Sequence, residues 1–192
     1  MDPANFALFD TPVGSCGLVW GVRGLVGVLL PEANAAATRA CAQRRFGGAV
    51  EAEAPPEIRQ VMARIVGLLS GESDPMQDIA LDTSRLPPFN LRVYELARGI
   101  LPGQTLTYGE VAVRLGEPQT ARAVGQALGA NPFPIIVPCH RVLAAGNRSG
   151  GFSAPGGART KLRLLEIEGA PLGTGPGLFD GARGAASGQS GR

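Results

Sequence analysis

A chain of 192 residues with 44% hydrophobic content suits one or two domains with a buried core. Three cysteines and one histidine argue against a disulfide framework and against a four-ligand structural zinc site. Residues 1–87 carry 7 basic against 10 acidic side chains and residues 88–170 carry 9 against 5, so the second half is the mildly basic one and permits a phosphate-bearing partner.

The N-terminus has neither a basic leader nor an apolar core segment, and no apolar run reaches spanning length. A cytoplasmic protein with reduced thiols and no membrane contact is expected. Residues 5–9 read as a short strand. The apolar runs 16–20 and 25–30, split by Gly21-Val22-Arg23-Gly24, read as a β-hairpin. Residues 32–46 predict a helix with Ala36, Ala40 and Cys41 on one face, stopped by Gly47-Gly48. A short strand is expected at 50–54. Pro55-Pro56 opens a second helix, 57–69, with Ile58, Val61, Ile65 and Leu68 at helical spacing. Residues 76–81 read as a returning strand. Together 1–87 form an α/β unit with an antiparallel sheet, and the polar link 83–88 marks a domain boundary.

Residues 88–172 form the second predicted domain, opening with an amphipathic helix at 89–100. Thr107 can cap a helix at 108–115 and Thr120 one at 121–128. Two short helices on a four-residue turn match helix-turn-helix, and equally any helical hairpin. In the second helix Ala121, Ala123, Gly125 and Ala127 are small and Arg122 is the only long charge, so it can approach another surface closely. Gly125 costs about 1 kcal/mol relative to alanine in a helix interior, which calls for compensation. A helix at 160–167 follows two glycine-rich loops. The Gly-, Ala- and Ser-rich tail 173–192 is expected to be disordered.

Between these helices lies Asn131-Pro132-Phe133-Pro134-Ile135-Ile136-Val137-Pro138-Cys139-His140-Arg141-Val142, which holds the only histidine. Cys139 ends a stiff apolar run beside a possible base. A thiolate is the nucleophilic form, and imidazole can take its proton directly or through water. Extended neighbours point to opposite sides, so Cys139 and His140 need a turn or a bridging water to couple. Glu166 and Glu168 are both candidates to orient the imidazole. The alternatives are a structural thiol and a packed core histidine. Cys16 and Cys41 read as packing residues.

The segment Pro138-Cys139-His140-Arg141-Val142, with Asn131-Pro132 and Pro134 before it, resembles the active-site signature of the O6-alkylguanine-DNA alkyltransferases, the methylated-DNA–protein-cysteine methyltransferases. The likeness extends through Thr107-Tyr108-Gly109-Glu110-Val111-Ala112 and Ala121-Arg122-Ala123-Val124-Gly125. Downstream it takes in Gly151-Phe152-Ser153, Lys161, Leu164-Leu165 and Glu168-Gly169. It is strong over 88–170 and weak over the first unit.

The resemblance implies a ribonuclease-H-like N-terminal α/β unit and a mostly helical, winged-helix-like DNA-binding domain. It implies a DNA repair protein that moves an alkyl group, such as methyl, from O6 of guanine (O4 of thymine as a second target) irreversibly to its own cysteine. One molecule repairs one base, after flipping it out of the duplex. By resemblance Cys139 is the acceptor, His140 its base through a water, Glu168 the holder of the imidazole, and Asn131 the tie to the recognition helix. The helix with Ala121, Ala123 and Gly125 enters the minor groove. Arg122 fills the gap left by the base, and Tyr108, at a helix start capped by Thr107, helps rotate the nucleotide and is the natural proton donor to the leaving guanine. Backbone groups of Cys139, Val142 and Ser153 line the guanine pocket, and Phe152 walls it. Arg141 is expected as a buried ion-pair residue with its partner in the N-terminal unit.

No cofactor or metal is implied. The partner is double-stranded DNA containing O6-alkylguanine, and the protein is expected to be a monomer. Residues 153–160 are two longer than in members with Gly-Gly directly after the serine, which bears on alkyl size range. Three other readings compete: an alkyltransferase-like protein that flags lesions, a cysteine hydrolase, and a helix-turn-helix regulator. The presence of Cys139 speaks against the first, and its adjacency to His140 fits poorly with the usual spatially assembled hydrolase dyad.

Overall fold

Alternation of inward and outward side chains (Phe6 and Leu8 against Ala7 and Phe9) makes the first strand two-faced. In the computed structural model, which describes residues 4–147 and 151–170, β1 (Asn5–Thr11), β2 (Gly14–Gly21) and β3 (Gly24–Leu29) form an antiparallel meander. The strand β4 (Val50–Glu51) adds to the free edge of β1 in parallel, so the sheet order is β3-β2-β1-β4. The sheet is therefore antiparallel-rich rather than wholly antiparallel. The expected tail 173–192 lies outside the described residues.

Helix α1 (Ala35–Arg45) packs on the sheet face that presents Phe6, Val19 and Leu29. Of the expected face Ala36, Ala40 and Cys41, only Cys41 is buried; Ala36 and Ala40 point to solvent, and Thr38 and Ala42 join Cys41 inside. The cause is polar. The Asn34 side chain accepts from Ala37 N at 2.9 Å and starts the helix there, while the Thr38 hydroxyl donates to Ser15 O at 3.2 Å and accepts from Glu32 N at 3.1 Å. Helix α2 (Pro56–Leu69) buries Ile58, Ile65 and Leu68, as its spacing predicts, with Met62 buried and Val61 only half-buried.

Residues 76–81 are not a strand. Their one sheet link is a Leu25–Leu81 bridge. The carbonyls of Met76, Gln77 and Ile79 instead accept from Arg98 Nη2 at 2.9, 2.8 and 3.0 Å. A guanidinium from α3 (Pro88–Arg98) thus takes acceptors that a neighbouring strand would have used.

The C-terminal part is mostly helical. The Thr107 hydroxyl accepts from Glu110 N at 3.1 Å and Glu110 Oε2 accepts from Thr107 N at 2.6 Å, a capping box that starts α4 (Tyr108–Arg114). Helix α5 (Ala121–Gly129) follows a 3-10 turn, Pro118–Thr120. Thr120 does not cap α5: its hydroxyl donates back to Glu117 O at 2.7 Å and closes that turn. Tyr94 of α3 donates to Ala127 O at 2.8 Å, fixing α5 from behind. The last described helix is α6 (Ala158–Ile167), followed by residues 168–170, and short strands β5 (Leu106–Thr107) and β6 (Val142–Leu143) pair in parallel.

One apolar cluster crosses the expected boundary at 87/88, joining Trp20, Leu25 and Ile65 to Val93, Phe133 and Ile136. Gly27 sits at this joint, where an added Cβ would overlap the Phe46 ring and lie 3.1 Å from Pro132 O. Gly27→Ala is expected to cost about 1–3 kcal/mol in urea denaturation through overpacking. Gly129→Ala, where a Cβ meets nothing within 4 Å, should leave stability unchanged or raise it.

Candidate active site

Proline cannot donate, so the 131–138 segment closes on a side chain instead. Asn131 Nδ2 donates to Val137 O at 2.8 Å, and its Oδ1 accepts from Phe133 N at 2.9 Å. Ile135 is held at φ 77, a left-handed conformation that a β-branched residue adopts only under constraint. The chain then makes a 3-10 turn, Cys139–Arg141, with Cys139 N donating to Val137 O at 2.8 Å. That turn is the departure from extended backbone that adjacent Cys139 and His140 require in order to act together.

Behind the turn stands Glu168, just past α6. Its Oε1 meets His140 Nε2 at 2.9 Å and accepts from Arg141 Nη2 at 2.7 Å, and its Oε2 accepts from Arg141 Nε at 2.8 Å. All three side chains are buried, with exposures of 0%, 2% and 2% for His140, Arg141 and Glu168. The partner of Arg141 therefore lies in the C-terminal part, as does its second acceptor, Ile100 O, and not in the N-terminal unit as expected. The reason is reach: the turn that sets Cys139 at the cavity floor aims the next two side chains together at the end of α6. Burial alone would raise the Glu168 carboxyl, but the bonds from His140 and Arg141 outweigh it and hold it down to about 2.

An ionised carboxylate only accepts, so His140 Nε2 carries the proton and Nδ1 of the neutral ring is a free acceptor. Among the described residues Nδ1 has no hydrogen-bond partner and is buried. Burial pushes the His140 imidazolium down, against the pull of Glu168, which keeps the ring neutral and able to receive a proton. Burial likewise pushes the Cys139 thiol up, opposed by the Asn131 amide and the Lys161 charge.

A cavity of about 530 Å³ opens over Cys139, lined by Tyr108, Ala121, Arg122, Gly125, Phe152 and Ser153 among others. Gly125 lies beside the Tyr108 ring, where an added Cβ would make ordinary contact at 3.8 Å. Tyr108 OH donates to Gly151 O at 3.4 Å and Ser153 Oγ to Gly129 O at 2.8 Å, tying the 151–153 segment to α4 and α5. Thr107 caps α4, while Ala123 and Val142 are not among the lining residues. The Val142 carbonyl is taken by Lys161 Nζ at 2.6 Å. Among the described residues no three His, Cys, Asp or Glu side chains converge to hold a metal ion.

Lys161 is the site residue to which sequence reasoning assigned no role. It is fully buried, its Nζ lies 5.7 Å from the centre of the Tyr108 ring, and burial lowers it to about 8 against the opposing pull of Cys139. A signal existed: Lys161, Leu164, Leu165 and Glu168 recur at i, i+3, i+4 and i+7, which places the lysine on the buried face.

Glu168 has a depressed folded-state carboxyl, so its stabilisation is full above the ordinary value of 4.5 and is lost as pH falls toward about 2. Glu168→Gln should remove that part of the acid-unfolding curve. It should also cost about 3–5 kcal/mol at neutral pH, because Arg141 is left buried and unpaired. Denaturant titrations from neutral to acid pH measure both.

Comparison with known proteins bears on this geometry. The family described as "6-O-methylguanine DNA methyltransferase, DNA binding domain" matches residues 88–170. A methylated-DNA–protein-cysteine methyltransferase of Methanothermobacter thermautotrophicus is 32% identical over 161 residues, covering 84% of this chain and 83% of its own. A DNA base-flipping protein of Thermus thermophilus is 42% identical over 120 residues, covering 62% and 78%. The crystal structure of Mycobacterium tuberculosis OGT in complex with DNA superposes with a TM-score of 0.69 at 31% identity, over 87% of this chain and 95% of that one. On these matches, and with the Cys139, His140 and Glu168 arrangement in place, the chain belongs to the methylated-DNA–protein-cysteine methyltransferase family.

Proposed function

We propose that this chain removes an alkyl group, methyl above all, from O6 of guanine in double-stranded DNA and retains it on Cys139. The observation that carries the reading is a cysteine at the floor of a cavity of about 530 Å³ that opens beside a helix of small residues, with a neutral imidazole and an ionised carboxylate behind it. A base inside a duplex cannot bring its O6 to a buried sulfur, so the nucleotide is extruded into the cavity. Arg122, exposed on α5 at the cavity, takes the vacated place in the stack. The small faces of Ala121, Ala123 and Gly125 let α5 approach the minor groove, and Thr107 holds the start of α4. Backbone phosphates supply most of the affinity, without sequence preference.

In the transfer, the thiol proton passes through a water to Nδ1 of His140, whose imidazolium Glu168 stabilises. The thiolate attacks the methyl carbon, the S–C bond forms, and the C–O bond breaks. The electron pair leaves on guanine, which takes a proton from Tyr108 OH. His140 returns its proton through solvent to the tyrosinate. The products are a thioether and an unmodified guanine, so the acceptor is spent after one turnover. Ser153 borders the base, Phe152 walls it, and Asn131 fixes the turn that presents Cys139. The protein acts as a monomer, with 88–172 as the alkyltransferase domain.

The Thermus relative's name, DNA base-flipping protein, favours one competing reading: extrusion of the base without chemistry. Cys139 in the cavity supports chemistry. Incubation with an O6-methylguanine duplex should add one CH2 to the intact mass, located on Cys139, and none to Cys139→Ala. An unmodified wild-type protein that still binds the lesion would overturn the repair reading in favour of the binding one. His140→Ala should slow single-turnover transfer by about 10²–10⁴-fold, the range for loss of a positioned base.

A further inference from the structure

The N-terminal part has no assigned share in the chemistry, yet it grips the active-site segment at two consecutive carbonyls. Val28 N of β3 donates to Pro132 O at 2.8 Å. Arg45 Nη2, from the last turn of α1, donates to Asn131 O at 3.2 Å across 86 residues of chain. The guanidinium is itself positioned: its Cζ lies 5.6 Å from the centre of the Phe46 ring, and that ring packs against Gly27, which has no Cβ to displace it. Arg45, Asn131 and Cys139 line one cleft of about 340 Å³ between the two halves of the molecule.

The grip matters because of what Asn131 does on its other side. Its amide closes the 131–137 loop and faces Cys139. Among the described residues the backbone of Asn131 is otherwise anchored only by its own N–H, a long 3.3 Å bond to Leu128 O at the end of α5. We propose that Arg45 is a positioning residue for alkyl transfer: by holding the Asn131 carbonyl it sets the amide that stabilises the Cys139 thiolate. The N-terminal half would then tune the acceptor rather than merely complete the fold. This rests on the repair reading only for its substrate; the effect on the thiol is independent of DNA.

Cys139 is faced by His140, by Lys161 of α6, by Tyr108 of α4 and by Tyr94 of α3, and the cleft adds Glu32 and Cys41. Arg45→Met leaves all of these side chains in place, keeps the stem over Phe46 and removes the donors together with a charge that also acts on Cys41 and Tyr94.

Three measurements on the full chain test the proposal. The first is the single-turnover methyl transfer rate against pH. The second is the rate of Cys139 modification by iodoacetamide against pH, resolved by peptide mass. The third is duplex affinity with melting temperature. Arg45→Met should slow transfer by about tenfold to a hundredfold, the cost of a misplaced group remote from the reaction. It should move both pH profiles to higher pH with affinity unchanged, and Arg45→Lys should recover part of the loss.

In an Asn131→Ala background Arg45→Met should have no further effect, as expected if Arg45 acts through that residue. Asn131→Ser serves if the alanine variant does not fold. An equal loss in that background would assign the effect to the charge of Arg45 alone and overturn the proposal. Unmoved pH profiles, or a loss confined to melting temperature or affinity, would overturn it as well. A wild type that reacts with iodoacetamide yet takes no methyl from DNA sinks the repair reading, and the iodoacetamide arm still decides this one.

Discussion

The Glu168 carboxylate, buried and shared between Arg141 and His140, is the joint on which the site depends. It connects α6 to the turn that presents Cys139, and it sets the state of the imidazole at the same time. Two bonds from Arg141 fix the carboxylate's plane and its charge, leaving Oε1 to receive Nε2–H. One tautomer of His140 follows, and with it a bare Nδ1. A buried ion pair of this kind is weak as a source of stability, since the desolvation it costs offsets most of its attraction. Its value here is orientation. An apolar substitute of the same volume could pack as well and could not choose the tautomer.

The same turn explains why sequence neighbours can share work. Cys139 and His140 would diverge on a strand. In the 3-10 turn Cys139 lies at the cavity floor while His140 and Arg141 both aim at the end of α6. The turn is held in place by Asn131, whose amide bonds within the loop and whose carbonyl is held from the N-terminal half. Rigidity is thus supplied by side-chain bonds where prolines remove backbone donors. The strained Ile135 is a local sign of that constraint.

Much of this was legible in the chain itself. Periodicity located the hairpin and the buried face of α2, because those elements bury apolar residues against one neighbour. It misplaced the inner face of α1 and the 76–81 segment. There the deciding contacts are polar and distant in sequence: Thr38 to Ser15, and Arg98 to three carbonyls. Likewise Thr120 reads as a cap by type, yet its hydroxyl has a nearer acceptor in Glu117 O. In the site, Cys139 and His140 are candidates by their chemistry alone, and only motif resemblance chooses Glu168 over Glu166. In the structure Glu166 is exposed and pairs with Arg163. Arg45 carried no local signal, since nothing in α1 reveals a bond to residue 131.

A nucleophile that burial holds in its thiol form looks poorly suited to attack, but the reaction is one that consumes the protein. A permanently ionised, exposed cysteine would be spent on any passing electrophile. Burial raises the barrier to ionisation, while Asn131, Lys161 and the His140–Glu168 pair lower it from fixed positions. These contributions oppose one another at the same sulfur, so small displacements of the polar groups shift the balance. A flipped base that fills the cavity excludes water and strengthens each of those interactions, since the local dielectric falls. Reactivity is then greatest when substrate is in place. The elements that hold the polar groups, including the N-terminal sheet behind Asn131, take part in the chemistry through that dependence.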